Sequence, residues 1–298
     1  MRADVEFHSR GVACRGWLYR PDAAAAAPGP AILMSHGFSA VKEQGLDGFA
    51  RGFCDAGFVV LAFDYRFLGA SDGEPRGRII PQEQHDDNRA ALGWLSRQPG
   101  VDPARIGLWG SSYSGGHALF MGALDPRVKA VVAQVPAIAT ARSLVAMAGR
   151  EGLAGLLELF VHDHAARNAG EPGASLPVVA PEGEPSVLAT PDSYAWFQTS
   201  GARDAPNWLN STSVESVARL AEYAPADFID LISPKPLLIQ AATRDALIPI
   251  DQVREAFARA GEPKKLVEFD GGHFDLYPGE RFHAPARANA TEWFKAHL

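Results

Sequence analysis

The chain reads as an α/β protein: a mostly parallel, doubly wound sheet with a helical cap inserted late in the sequence. Three observations predict this. Short β-branched runs alternate with amphipathic segments up to residue 136, the pattern of strand–helix–strand units. Phe58–Phe63 (F-V-V-L-A-F) and Val128–Val135 (V-K-A-V-V-A-Q-V) are nearly continuous apolar runs, as strands covered on both faces require. The alternation stops after Pro136 and resumes at Pro236. Residues 1–136 and 234–298 are therefore assigned to the core, and residues 137–233 to the cap.

The elements follow in order. The opening V-E-F-H-S-R-G-V-A-C-R-G-W-L-Y-R-P predicts two strands hinged at Ser9-Arg10-Gly11. The alanine run 23–27, closed by Pro28-Gly29-Pro30, reads as a linker. Ala31–Ser35 is a strand ending at His36-Gly37, and residues 43–56 form a helix stopped by Gly57. The strand Phe58–Phe63 runs into Asp64-Tyr65-Arg66 and a loop through Gly73. Ala90, Ala91, Trp94 and Leu95 give Gln82–Gln98 helical spacing, with a stop at Pro99-Gly100. Arg105–Trp109 is the next strand, followed by a small-residue turn and the helix H-A-L-F-M-G-A-L. Within 137–233, proline and glycine crowd the stretch from Gly170 to Pro191. There Tyr194, Trp196, Phe197 and Trp208 bring aromatic surface and are candidate walls of a substrate pocket. Pro236–Ala241 is a strand, 250–261 a helix, Leu266–Phe269 a strand and Glu280–Leu298 a closing helix.

Composition narrows the function. With 28 Lys and Arg against 35 Asp and Glu, the net charge is −7, which disfavours binding of a phosphate backbone and so excludes nucleic acid as the expected partner. No run approaches the roughly 18 apolar residues of a membrane span, and the N-terminus lacks the apolar stretch of a secretory signal. The two cysteines, Cys14 and Cys54, form no C-x-x-C pair and read as reduced and buried, as in cytoplasmic proteins. No cofactor and no metal are expected. The expected partner is a small-molecule substrate, with a homo-oligomer left open.

The sharpest motif is Gly110-Ser111-Ser112-Tyr113-Ser114-Gly115-Gly116, set between a predicted strand and a predicted helix. A tight strand-to-helix turn crowds its own backbone, so the neighbours of the projecting residue must be small. This segment resembles the nucleophile elbow G-x-S-x-G of the α/β-hydrolase family, with Ser112 at the nucleophile position. Ser114 stands where that pattern has its second glycine. The resemblance implies a base in the loop after the last strand, which here is Gly271-Gly272-His273-Phe274, and hence His273. It implies an acid just past the strand P-L-L-I-Q-A, which is Asp245. Asp251, the nearest competitor, reads as the N-cap of the following helix. His283 falls within the closing helix and His297 is next to the last residue. The resemblance also implies an oxyanion hole made by the backbone N–H groups of Tyr113 and, in a family-like H-G-x segment, Phe38. His36 reads as a packing residue, and the role of the Tyr113 side chain is open between substrate contact and packing.

Two further groups read as solvated helix faces: His162-Asp163-His164, whose histidines point to different sides of a helix, and His85-Asp86-Asp87. F-D-Y-R, Ser71-Asp72-Gly73 and G-G-H-F-D are similar to bacterial dienelactone-hydrolase-like enzymes and to fungal polyketide thiohydrolases and transferases. The implied activity is hydrolysis of a carboxylic ester, or of a related thioester or lactone, through an acyl-enzyme on Ser112. The alternatives are acyl transfer from the same intermediate and a ligand-binding protein on a hydrolase scaffold.

Overall fold

A computed structural model describes residues 1–22 and 27–298; of the alanine linker, all but Ala27 lies outside the described residues. The hairpin β1 (Arg2–Ser9) and β2 (Val12–Tyr19) opens the chain, turning at Arg10 and Gly11, both with positive φ. Then come β3 (Gly29–Ser35), α1 (Leu46–Asp55), β4 (Val59–Phe63), α2 (Pro81–Leu95), β5 (Val101–Ser111), α3 (Tyr113–Leu124) and β6 (Val128–Gln134). Residues 137–233 hold α4 (Thr140–Asn168, kinked at Gly149), a ribbon of β7 (Ser175–Leu176) and β8 (Thr212–Ser213), α5 (Pro191–Asp204), α6 (Val214–Ala221) and a 3₁₀ segment, Pro225–Ile232. The chain ends with β9 (Leu237–Ala242), α7 (Ile250–Arg259), β10 (Lys264–Phe269), a 3₁₀ turn at His273–Leu276 and α8 (His283–His297).

Among the described residues, the main sheet has eight strands in the order β1-β2-β4-β3-β5-β6-β9-β10. β1–β2 and β2–β4 are antiparallel and every other pair is parallel. The parallel strands are apolar on both faces because helices cover both: Ile32, Leu33, Met34, Val60, Leu61, Val131, Val132, Leu238 and Ile239 are all fully buried. Each contributes about 1.5–3 kcal/mol by leaving water. The register aligns Ser35 with Gly110, Gly110 with Ala133, Gln134 with Gln240 and Ala242 with Phe269. The loops that follow β3, β5, β9 and β10 therefore emerge along one edge, where open α/β sheets bind ligands.

Three expectations need correction. His85-Asp86-Asp87 is not surface charge: His85 and Asp87 are buried. They sit on the inner face of α2, where Asp87 accepts from Arg66 at 2.5 Å. Asp163 is not part of a solvated face either. It is buried, pairs with Arg167 at 2.8 Å and accepts from the Ala174 N–H at 2.7 Å, while His162 and His164 are exposed. Asp251 does not cap α7, whose N-cap is Pro249; it lies in the first turn and faces Arg254 at 3.5 Å.

Candidate active site

Ser112 lies between the last residue of β5 and the first of α3, at φ 57° and ψ −122°. A serine is strained at this φ, and such strain persists only where the surroundings over-determine it. They do so through close backbone approach: a Cβ on Gly110 would stand 1.9 Å from the Ser114 carbonyl oxygen, and one on Gly115 2.8 Å from Pro136 Cα. The Ser112 N–H donates to Gln134 O at 2.8 Å, and the Ser112 carbonyl accepts from Ala137 N–H at 2.9 Å. The Ser112 turn is thus pinned to the end of β6.

The neighbouring serines are not idle. The Ser111 hydroxyl donates to Tyr277 Oη at 2.8 Å and accepts from Gln134 Nε2 at 3.2 Å. The Ser114 hydroxyl donates to the His36 carbonyl and pairs with Tyr65 Oη at 2.8 Å. This explains the departure from G-x-S-x-G, because a glycine could not tie the turn to the end of β3. His36 is buried and its Nδ1 meets Gly37 O at 3.0 Å. Burial holds its pKa below the ordinary value, against the opposing pull of Asp64. It therefore packs as a neutral ring.

His273 is fully buried after β10, with Nδ1 2.7 Å from Asp245 Oδ2. A carboxylate only accepts, so Nδ1 carries the proton and Nε2 the lone pair. Asp245 is held in turn: its Oδ1 accepts from the Leu247 N–H at 2.8 Å and the Ile248 N–H at 2.9 Å. His273 Nε2 is buried and has no hydrogen-bond partner among the described residues, so in this state it is not bonded to Ser112 Oγ. Contacts of this kind commonly close only in the substrate complex. Both side chains line one cleft with Gly37, Phe38 and Tyr277. Among the described residues, neither the Phe38 nor the Tyr113 backbone N–H is engaged by another loop or turn group. The constellation can therefore take a proton from a hydroxyl and meet a developing oxyanion.

Of the aromatic candidates from 137–233, Trp196 and Phe197 line this cleft. Trp196 stacks on Phe274 at 5.0 Å, beside His273. Trp208 does not line it: it stacks on Phe197 at 5.1 Å and its indole N–H donates to Ser39 O at 2.9 Å, tying this segment to the loop after β3. Tyr194 borders a separate hollow with Ala180–Glu184. The Tyr113 side chain is buried, edge-on to Phe38 at 5.6 Å and to His117 at 4.4 Å. Sequence reasoning missed Leu144, Met147, Leu188, Leu247 and Ile248, which extend the cleft beyond Ser112. Only the apolar pair following Asp245 offered a signal. Among the described residues no cluster of three or more His, Cys, Asp or Glu could hold a metal, and no helix is long and apolar enough to cross a membrane.

A mostly parallel sheet with a strained serine at the β5–α3 turn and a carboxylate-held histidine beside it defines a serine hydrolase of the α/β-hydrolase fold. The X-Pro dipeptidyl-peptidase (S15) family model matches residues 11–165, just over half the chain, and the chain belongs to that family. It is 31% identical to the quorum-quenching protein AidA of Acinetobacter baumannii, over 95% of this chain and 91% of that one. It is also 31% identical to the thiohydrolase aneE of Aspergillus aculeatus, over 96% and 91%. The crystal structure of the α/β hydrolase GrgF from Penicillium sp. sh18 superposes with a TM-score of 0.85 at 29% identity, covering 100% of this chain and 99% of that one.

Proposed function

We propose that the protein hydrolyses carboxylic esters and thioesters through an acyl-enzyme on Ser112. His273 Nε2 takes the serine proton and returns it to the leaving group. Asp245 fixes the tautomer and steadies the imidazolium. The Phe38 and Tyr113 N–H groups receive the oxyanion, and a water activated by the same Nε2 releases the acid. The observation that carries this reading is the 2.7 Å bond from His273 Nδ1 to Asp245, which leaves Nε2 unpartnered in the cleft of a serine held at φ 57°. Residues 137–233 act as the cap, supported by the contacts of Trp196 and Trp208 above. The thioester branch draws support from the thiohydrolase relative. Two free, buried cysteines support a reducing, cytoplasmic setting.

The test is turnover of p-nitrophenyl esters and matched thioesters by wild type and Ser112→Ala. The expected loss is at least about 10⁴-fold in kcat, and full activity in the variant overturns the reading. Product analysis with a competing alcohol separates hydrolysis from acyl transfer, which shares the intermediate.

A further inference from the structure

The cleft at Ser112 has two arms that meet at Phe38, Ser112, Leu188 and Leu247, residues common to both. One arm runs past His273, Phe274 and Tyr277 to Trp196 and Gln44. The other runs away from His273 under α4 and is walled by Leu144, Met147, Val187, Leu220 and Ile248. Among the described residues, no Asp, Glu, Lys or Arg lines either arm.

We propose that the arms divide the substrate: a neutral, apolar acyl group lies in the α4 arm and the leaving group in the His273 arm. This rests on the acyl-enzyme reading above. Attack forms the bond from Ser112 Oγ to the carbonyl carbon and moves the serine proton to His273 Nε2. Collapse breaks the bond from that carbon to the leaving oxygen or sulfur, which takes the same proton. The leaving atom must therefore come within hydrogen-bond reach of Nε2, and only one arm contains His273. The oxyanion occupies the direction of the Phe38 and Tyr113 N–H groups. The remaining substituent of the tetrahedral carbon is the acyl chain, and the other arm is what remains for it. That arm is apolar, as an alkyl chain requires.

The absence of charged lining residues sets the substrate class. A dipeptidyl substrate would bring an ammonium group into the acyl arm. A buried ammonium without a carboxylate partner is strongly disfavoured, so the structure assigns this site to uncharged acyl groups rather than to amino-terminal dipeptides.

The test uses the full chain with two substrate series: p-nitrophenyl esters from acetyl to octanoyl, and acetates of alcohols from ethyl to octyl. In wild type, kcat/KM should climb by up to about fourfold per acyl methylene, equal to about 0.8 kcal/mol, until the arm is full. Met147→Trp should lower the octanoyl-to-acetyl ratio by tenfold or more while shifting the octyl-to-ethyl ratio less than threefold. Leu144→Phe is the second variant should Met147→Trp fail to fold. Trp196→Ala should do the reverse, changing the alcohol series and sparing the acyl ratio. Ser112-dependent turnover with a flat acyl series, or a Met147→Trp effect confined to the alcohol series, overturns the division while leaving the hydrolase reading intact. Absence of Ser112-dependent turnover on both series defeats the hydrolase reading and the division with it. Faster release of a dipeptide from Gly-Pro-p-nitroanilide than of any ester overturns the substrate class.

Discussion

Two buried histidine clusters lie within this fold and are wired in opposite ways. His273 has one nitrogen tied to a carboxylate and the other left open in a cleft. His117, on α3, has both nitrogens engaged: Nε2 meets Gln84 Oε1 at 2.9 Å, and Nδ1 meets Tyr223 Oη at 2.7 Å and His85 Nε2 at 3.0 Å. Its partners are neutral. Burial presses the pKa of His85 down to about 3, and that of His117 well below the ordinary value. One arrangement leaves a ring nitrogen open beside a carboxylate-held nitrogen; the other fills both nitrogens with neutral partners and refuses a proton. Burial is common to both; what separates them is a charged partner and a vacant nitrogen.

The largest effect that can break this contrast comes from the carboxylate. Asp245→Asn keeps the shape but no longer enforces the Nδ1–H tautomer, so kcat for ester hydrolysis should fall about 10⁴-fold with the melting temperature little changed. A fall of tenfold or less would place Asp245 among structural groups.

Acid sharpens the contrast next. The folded-state pKa of His85 and His117 lies below the unfolded value of about 6.5, so below that pH the unfolded chain binds protons that the fold refuses. Their contribution is fully present above pH 6.5 and is lost as the pH falls below it, for His85 down to about 3. Urea midpoints measured between pH 7 and pH 4.5 should drop by up to a tenfold change in folding equilibrium per pH unit for each histidine. A flat profile would show that both rings take up their protons in the fold.

The smallest effect is Tyr223→Phe, which removes one hydroxyl from the second cluster. It should cost about 1 kcal/mol in chemical denaturation and leave kcat/KM within threefold. A loss of activity without loss of stability would instead link this cluster to the chemistry.

How much of this was legible in the sequence depends on where each group's partners lie. The Ser112 turn was readable because its constraint is mostly near in sequence: the Ser114 backbone crowds Gly110, and Gln134 and Pro136 at the end of the next strand crowd Gly115. His273 and Asp245 were readable as positions after two strands, although their contact spans 28 residues. The His85 segment was misread because its charge pattern is that of a solvated helix, while the groups that satisfy it stand 32 and 138 residues away. The same holds for Asp163, whose backbone partner comes from beyond the end of its own helix. The cleft-lining residues of 137–233 were illegible for another reason: Leu144 and Met147 come from α4, Val187 and Leu188 from the segment before α5, and Leu220 from α6, so no single helical period marks them.

The most direct test of the central claim is reaction of the wild-type protein with a fluorophosphonate, read by intact mass and peptide mapping. The account predicts one adduct per chain, on Ser112, with a labelling rate at least about 10³-fold lower in His273→Ala. An adduct on any other residue, or labelling indifferent to His273, would contradict it.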